Sequence, residues 1–115
     1  MKAYKIYTES EYGFEEDVSY SNNYNKAIQK FNNLVRQTIS EVTLIDKEDF
    51  SDEIQYFKEY ESNCEIICRS YPVLIYKRND KIIAVIMYWN LTNYEYQEHD
   101  ICSHNVILEE INIEE

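Results

Sequence analysis

The sequence predicts an α+β domain, a mostly antiparallel sheet of four to five strands with two helices packed on one face. Three observations predict it. Residues 73–89 read Val-Leu-Ile-Tyr-Lys, then Arg-Asn-Asp-Lys, then Ile-Ile-Ala-Val-Ile-Met-Tyr-Trp, two β-prone runs around a polar corner. Asn79 and Asp80 at that corner tolerate positive φ, so the stretch reads as a β-hairpin. Two other windows carry apolar residues at helical spacing. Finally, 115 residues at 44% hydrophobic content fit a single domain over positions 1–115 with one core and no linker.

The second hairpin arm decides the architecture. Ile82, Ala84, Ile86 and Tyr88 point to one side of a strand, and Ile83, Val85, Met87 and Trp89 point to the other. Both faces are apolar, so the arm is central and needs cover on both sides from helices, loops or another chain. With both helices assigned to one face, the other is left to a homodimer contact, a partner, or loops 9–20 and 90–105 folding over it.

The remaining elements follow in chain order. Residues 2–8 alternate loosely and predict a first strand, and 14–20 a returning one. Between them, 9–17 holds five acids, no base and the only glycine, Gly13, which suits a turn or loop. Asn22 and Asn23 can cap a helix in which Ala27, Ile28, Phe31, Leu34, Val35 and Ile39 share a stripe. Residues 41–45 are short and β-prone. Asp46 then precedes a second helix over about 47–61, with Phe50, Ile54 and Phe57 at its apolar spacing and acids in its first turns. Residues 64–69 alternate into a strand, 90–105 read as a long polar and aromatic loop, and 106–113 as a last strand.

Three cysteines and no apolar leader after Met1 predict a cytoplasmic chain with reduced thiols, in a bacterium or a phage-infected host. The cysteines and both histidines form two clusters, Cys64 with Cys68, and His99, Cys102 and His104. These are zinc-type ligands, and a zinc-binding module or small metal-dependent enzyme is one alternative they raise. Against it, a Cys-x3-Cys pair in a strand lacks the tight turn of a zinc knuckle, and buried thiols are common in cores. Pairing Cys102 with His99 or His104 could activate a thiolate, but nothing in the chain suggests an oxyanion-binding turn. One glycine also cannot build a phosphate loop or dinucleotide fingerprint. The expectation is a non-enzymatic protein without a cofactor.

Charge is the strongest functional signal. The chain carries −11 overall, concentrated as −5 over residues 9–17, −5 over 46–61 and −7 over 95–115. Such a field repels nucleic acid and anionic membranes and attracts basic protein surfaces. Twelve tyrosines add rigid amphipathic contact area. The expected partner-binding residues are Glu9, Glu11, Tyr12, Glu15, Glu16 and Asp17; Asp49, Asp52, Glu53, Tyr56, Glu59 and Tyr60; and Tyr94, Glu95, Tyr96 and Glu98. Carboxylates spaced among aromatics imitate the phosphates and bases of a strand. In size, charge and composition the chain is similar to the small acidic phage proteins that block CRISPR effectors or restriction enzymes, a likeness that rests on no diagnostic motif. It implies an inhibitor that binds a basic nucleic-acid-handling protein as a nucleic-acid mimic. An immunity protein against a cationic nuclease toxin is the alternative with the same physics.

Overall fold

The structure, a computed structural model, describes residues 2–10, 13–60, 63–93, 95 and 98–112, without the side chains at 58–60, 92 and 93. The elements run β1 (Lys2–Glu9), β2 (Glu15–Ser21), α1 (Tyr24–Glu41), α2 (Lys47–Tyr60), β3 (Glu65–Ser70), β4 (Val73–Arg78), β5 (Lys81–Asn93) and β6 (Glu98–Asn112). The strands form one antiparallel sheet in the order β2-β1-β6-β5-β4-β3. The class is α+β as expected, with six strands where the sequence suggested four to five.

The hairpin of β4 and β5 forms as the sequence predicts, turning at Asn79, whose φ is 53°. β5 is covered on both sides, and a helix covers each. Ala84 and Ile86 pack with Ala27, Phe31 and Val35 of α1 in one core that also takes in Ile6, Val106 and Leu108. Ile83 and Met87 pack with Phe50 and Ile54 of α2 in a second core that includes Tyr7, Leu74, Tyr76 and Ile107. The expectation of both helices on one face is therefore corrected, because α1 and α2 lie on opposite faces and the fold is a helix-sheet-helix sandwich. Neither loop 9–20 nor loop 90–105 is needed as a cover.

The crossing is made between the helices. The connector runs extended past the end of β4, where Leu44 bridges to Tyr88. Ile45 N–H donates to the Met87 carbonyl at 3.4 Å, and Trp89 N–H donates to the Thr43 carbonyl at 2.8 Å. Extended backbone sends neighbouring side chains to opposite sides, so Leu44 joins the α1 core and Ile45 the α2 core. Tyr71 Oη anchors the crossing by donating to the Ile45 carbonyl at 2.6 Å.

The start of α1 is capped as the sequence suggests, and the start of α2 is capped too. Asn23 has extended backbone and its Oδ1 accepts from Lys26 N–H at 3.0 Å. Asp46 Oδ1 accepts from Asp49 N–H at 2.9 Å, and that bond holds the Asp46 carboxyl below its ordinary value.

Two further corrections concern loops. Residues 90–105 are largely strand, since β5 runs on to Asn93 and β6 starts at Glu98. Their register continues past both neighbours: β1 ends at Glu9 opposite Asn105, and β4 begins at Val73 opposite Ile86. The distal half of the β5–β6 hairpin thus projects as a two-stranded ribbon, which fits a molecule 56 Å long and 29 Å wide. The outer end of the ribbon, at Asn90 and residues 98–100, is exposed, and a strand there has no need of alternation, hence its loop-like composition. In the first acidic block, Glu9 closes β1 and Glu15, Glu16 and Asp17 open β2, so four of its five acids lie on strands and not in the expected loop. Between the strands Gly13, with φ of 83°, donates to the Ser10 carbonyl at 2.9 Å.

Candidate functional site

A groove of about 330 Å³ opens between α2 and the sheet. Its apolar walls are Phe57, Tyr76, Val85, Met87 and Ile101, and its polar atoms come from Glu53, Tyr56, Ser103 and Asn105. The helix builds one wall by spacing. Phe50, Ile54 and Phe57 face the sheet, which leaves Asp49, Asp52, Glu53 and Tyr56, at i, i+3, i+4 and i+7, along the adjoining side. Glu53 and Tyr56 line the groove, and the half-buried Asp49 and the exposed Asp52 continue the same ridge.

The inner end is built by strand register. Asn105 on β6 stands opposite Val85 on one side and Glu9 on the other. Directly paired residues share a face with Cβ atoms about 5 Å apart, so the Glu9 side chain stands beside Asn105. Burial first, then the Cys64 thiol and the Glu9 carboxylate, push the Tyr76 phenol above its ordinary value. The first acidic block thus places one carboxylate, Glu9, next to a residue that lines the groove.

Asn105 Oδ1 is buried and accepts no hydrogen bond, the one such side-chain atom among the described residues. A buried acceptor without a donor costs about 1–3 kcal/mol. Asn105→Leu, which removes the acceptor and extends the apolar floor, is expected to raise stability by about 1–2 kcal/mol in urea titrations; a loss of similar size would show that the amide is satisfied.

Tyr7 stands on the same face. Its Oη donates to Glu109 Oε2 at 3.3 Å and its ring lies 4.6 Å from the Lys5 ammonium. Burial, followed by the field of Glu109, pushes its phenol well above the usual value near 10. The folded state then keeps a proton that the unfolded chain releases. Stability is full below pH about 10 and falls above it by up to about 1.4 kcal/mol per pH unit. Alkaline unfolding of Tyr7→Phe should show a shallower slope than the parent; an equal slope would remove Tyr7 from this role.

The other expected residues are placed differently. Glu15, Glu16 and Asp17 lie on β2, an open sheet edge. Glu15 pairs with Lys5 at 2.8 Å, and Asp17, with φ of 53°, lies where the register shifts against β1. Charge and a register break discourage edge-to-edge pairing, so these acids have a structural use. Glu95 and Glu98 sit at the tip of the projecting ribbon, about 23 Å from Asn105 by strand rise. Glu11, Tyr12, Tyr94 and Tyr96 lie outside the described residues, as do the side chains of Glu59 and Tyr60.

The Cys and His clusters do not converge. β3 is separated from β6 by β4 and β5, about 14 Å at ordinary strand spacing. Within β6, His99 shares the side of Ile101 and Asn105, whereas Cys102 and His104 take the opposite parity. A register shift between Ile66 and Cys68 sets Ile66 opposite Tyr76 and Cys68 opposite Ile75, on different faces. Zinc ligands must stand within about 4 Å of one another; among the described residues no three His, Cys, Asp or Glu are so placed. The structure does not bring the two clusters together into a four-ligand site.

Charge follows the layers. α1 carries Lys26, Lys30, Arg36 and a single acid, Glu41, while α2 carries five acids and two lysines. One outer layer is thus cationic and the other anionic. Among the described residues, no helix is long and apolar enough to cross a membrane. Fold and site together define an acidic α+β protein with an anionic, aromatic-walled groove. No protein-family model, curated protein or solved structure matches the chain.

Proposed function

We propose that this protein is a non-enzymatic antagonist that docks its α2 layer onto a basic surface of a nucleic-acid-handling protein, as a mimic of nucleic acid. The observation that carries the reading is the anionic α2 layer, with Asp49 and Asp52 along the same side of the helix as Glu53 at the aromatic groove, and the cationic helix held on the far side of the sheet. Separated layers of opposite charge orient the molecule in the field of a basic partner before contact. Tyr56, 61% exposed, offers flat area of the kind on which bases and guanidinium groups stack.

The test is affinity capture from lysate of the native host, with and without phage infection, followed by competition. A mimic occupies its partner's nucleic-acid groove, so the partner's own DNA or RNA should displace the chain. A captured protein that binds nucleic acid and this chain simultaneously would contradict the proposal.

A further inference from the structure

We propose that the groove between α2 and the β5–β6 hairpin seats one arginine side chain of a protein partner, held between Glu53 and Glu9, beside the Tyr56 ring, with a guanidinium N–H donated to Asn105 Oδ1. This rests on the docking role above and identifies the group that the partner inserts.

The groove asks for donors. Its lining carries the Glu53 carboxylate on the helix wall, the Tyr56 and Ser103 hydroxyls and a buried amide oxygen that accepts nothing, and strand register sets the Glu9 carboxylate beside Asn105. A neutral apolar side chain would leave that oxygen unmet and desolvate the carboxylates, and an acid would repel them. A cation with several N–H groups answers all three. The walls then favour arginine over lysine. Val85, Met87 and Ile101 provide an apolar floor for a methylene stem, and a planar guanidinium with five donors can serve acceptors on two sides while stacking on an aromatic ring. An ammonium offers three donors from one point and is more strongly hydrated.

Tyr56 lines the groove with a ring that is largely exposed. Tyr76 already has Phe57 at 4.9 Å and the guanidinium of Arg78 at 5.7 Å from its centroid. That contact shows within this same wall that a tyrosine here accepts a guanidinium. A volume of about 330 Å³ lies at the small end of ligand sites, room for one long side chain and too little for a docked helix. Asn105 Oδ1 is out of reach of water in the empty groove, so seating the donor requires a wall side chain to shift.

The experiment titrates N-acetyl-arginine amide into isotope-labelled protein and follows the Met87 methyl and Asn105 side-chain amide resonances. The lysine amide and the neutral citrulline amide, which keeps the shape without the charge, are the comparison probes. Saturable shifts confined to the groove are expected for arginine, at least tenfold weaker for lysine and citrulline. Glu53→Gln should weaken arginine binding about tenfold and Asn105→Leu should remove it, while the latter unfolds no earlier than the parent. Equal response to citrulline, shifts spread over all exposed acids, or indifference to Asn105→Leu would overturn the assignment. The titration needs no partner. Arginine binding by a chain that captures no basic protein would sink the antagonist reading and leave the groove assignment standing. A captured partner insensitive to both substitutions would do the reverse.

Discussion

Phe31→Ala is expected to cost about 3–5 kcal/mol of folding free energy, the range for truncating a buried aromatic. Phe31 stands at the centre of the α1 stripe, with Ala27 and Val35 four residues to either side, and only 3% of it is exposed. Below it lie Ala84 and Ile86 of β5, Val106 and Leu108 of β6, and Ile6 of β1. Ala84, fully buried, is a small side chain that leaves room for a large one above. Removing the ring leaves a void that alanine on both sides cannot fill, and the rigid sheet beneath cannot collapse into it. Against a total stability of roughly 5–15 kcal/mol for a domain of this size, much of the margin disappears. Urea unfolding should show a lower midpoint with an unchanged slope. A loss under about 1 kcal/mol would mean that α1 does not rest on this face.

Association with the partner is expected to slow about 10- to 100-fold when ionic strength rises from about 0.05 to 0.5 M. The acids along α2 are exposed at Glu48 and Asp52, and none of the ion pairs found among the described residues engages them. Exposed charges act at long range and are screened over about 10 Å at 0.1 M salt. They therefore set the encounter rate, whereas contacts inside the groove set how long the complex lasts. Stopped-flow traces at graded salt should show the association rate falling steeply and the dissociation rate changing much less. An association rate indifferent to salt would leave the anionic layer without a role in recognition.

Much of the fold is legible in the chain because its signals are local. The β4–β5 hairpin is written in two β-prone runs and a polar corner, and α1 and α2 in the spacing of Phe31 and Val35, and of Phe50, Ile54 and Phe57. The two apolar faces of β5 correctly demand cover on both sides. What the sequence cannot show is which helix takes which face, because that depends on a single bridge, Leu44 to Tyr88, between segments far apart in the chain. The adjacent apolar pair Leu44 and Ile45 was the available hint, since each enters a different core. Residues 90–105 misled because a ribbon that outruns its neighbours carries no alternation.

The site was half legible. Glu53 and Tyr56 stand out as an acid and an aromatic on a helix, and the structure brings them to one groove. Glu9 joins them only through the register of β1 on β6, a pairing between the two ends of the chain. Asn105 was missed because its face of β6 reads Ile101, Ser103, Asn105 and Ile107, half polar, so nothing in the sequence singles it out from Ser103.

The most direct test of the two-layer account compares two triple variants against the captured partner. One neutralises α2 (Asp49→Asn, Asp52→Asn, Glu53→Gln), and the other neutralises α1 (Lys26→Gln, Lys30→Gln, Arg36→Gln). Dissociation constants measured at one salt concentration should rise at least 30-fold for the α2 variant and change less than threefold for the α1 variant. Equal losses from both, or a loss confined to the α1 variant, would contradict an antagonist that binds through its anionic layer.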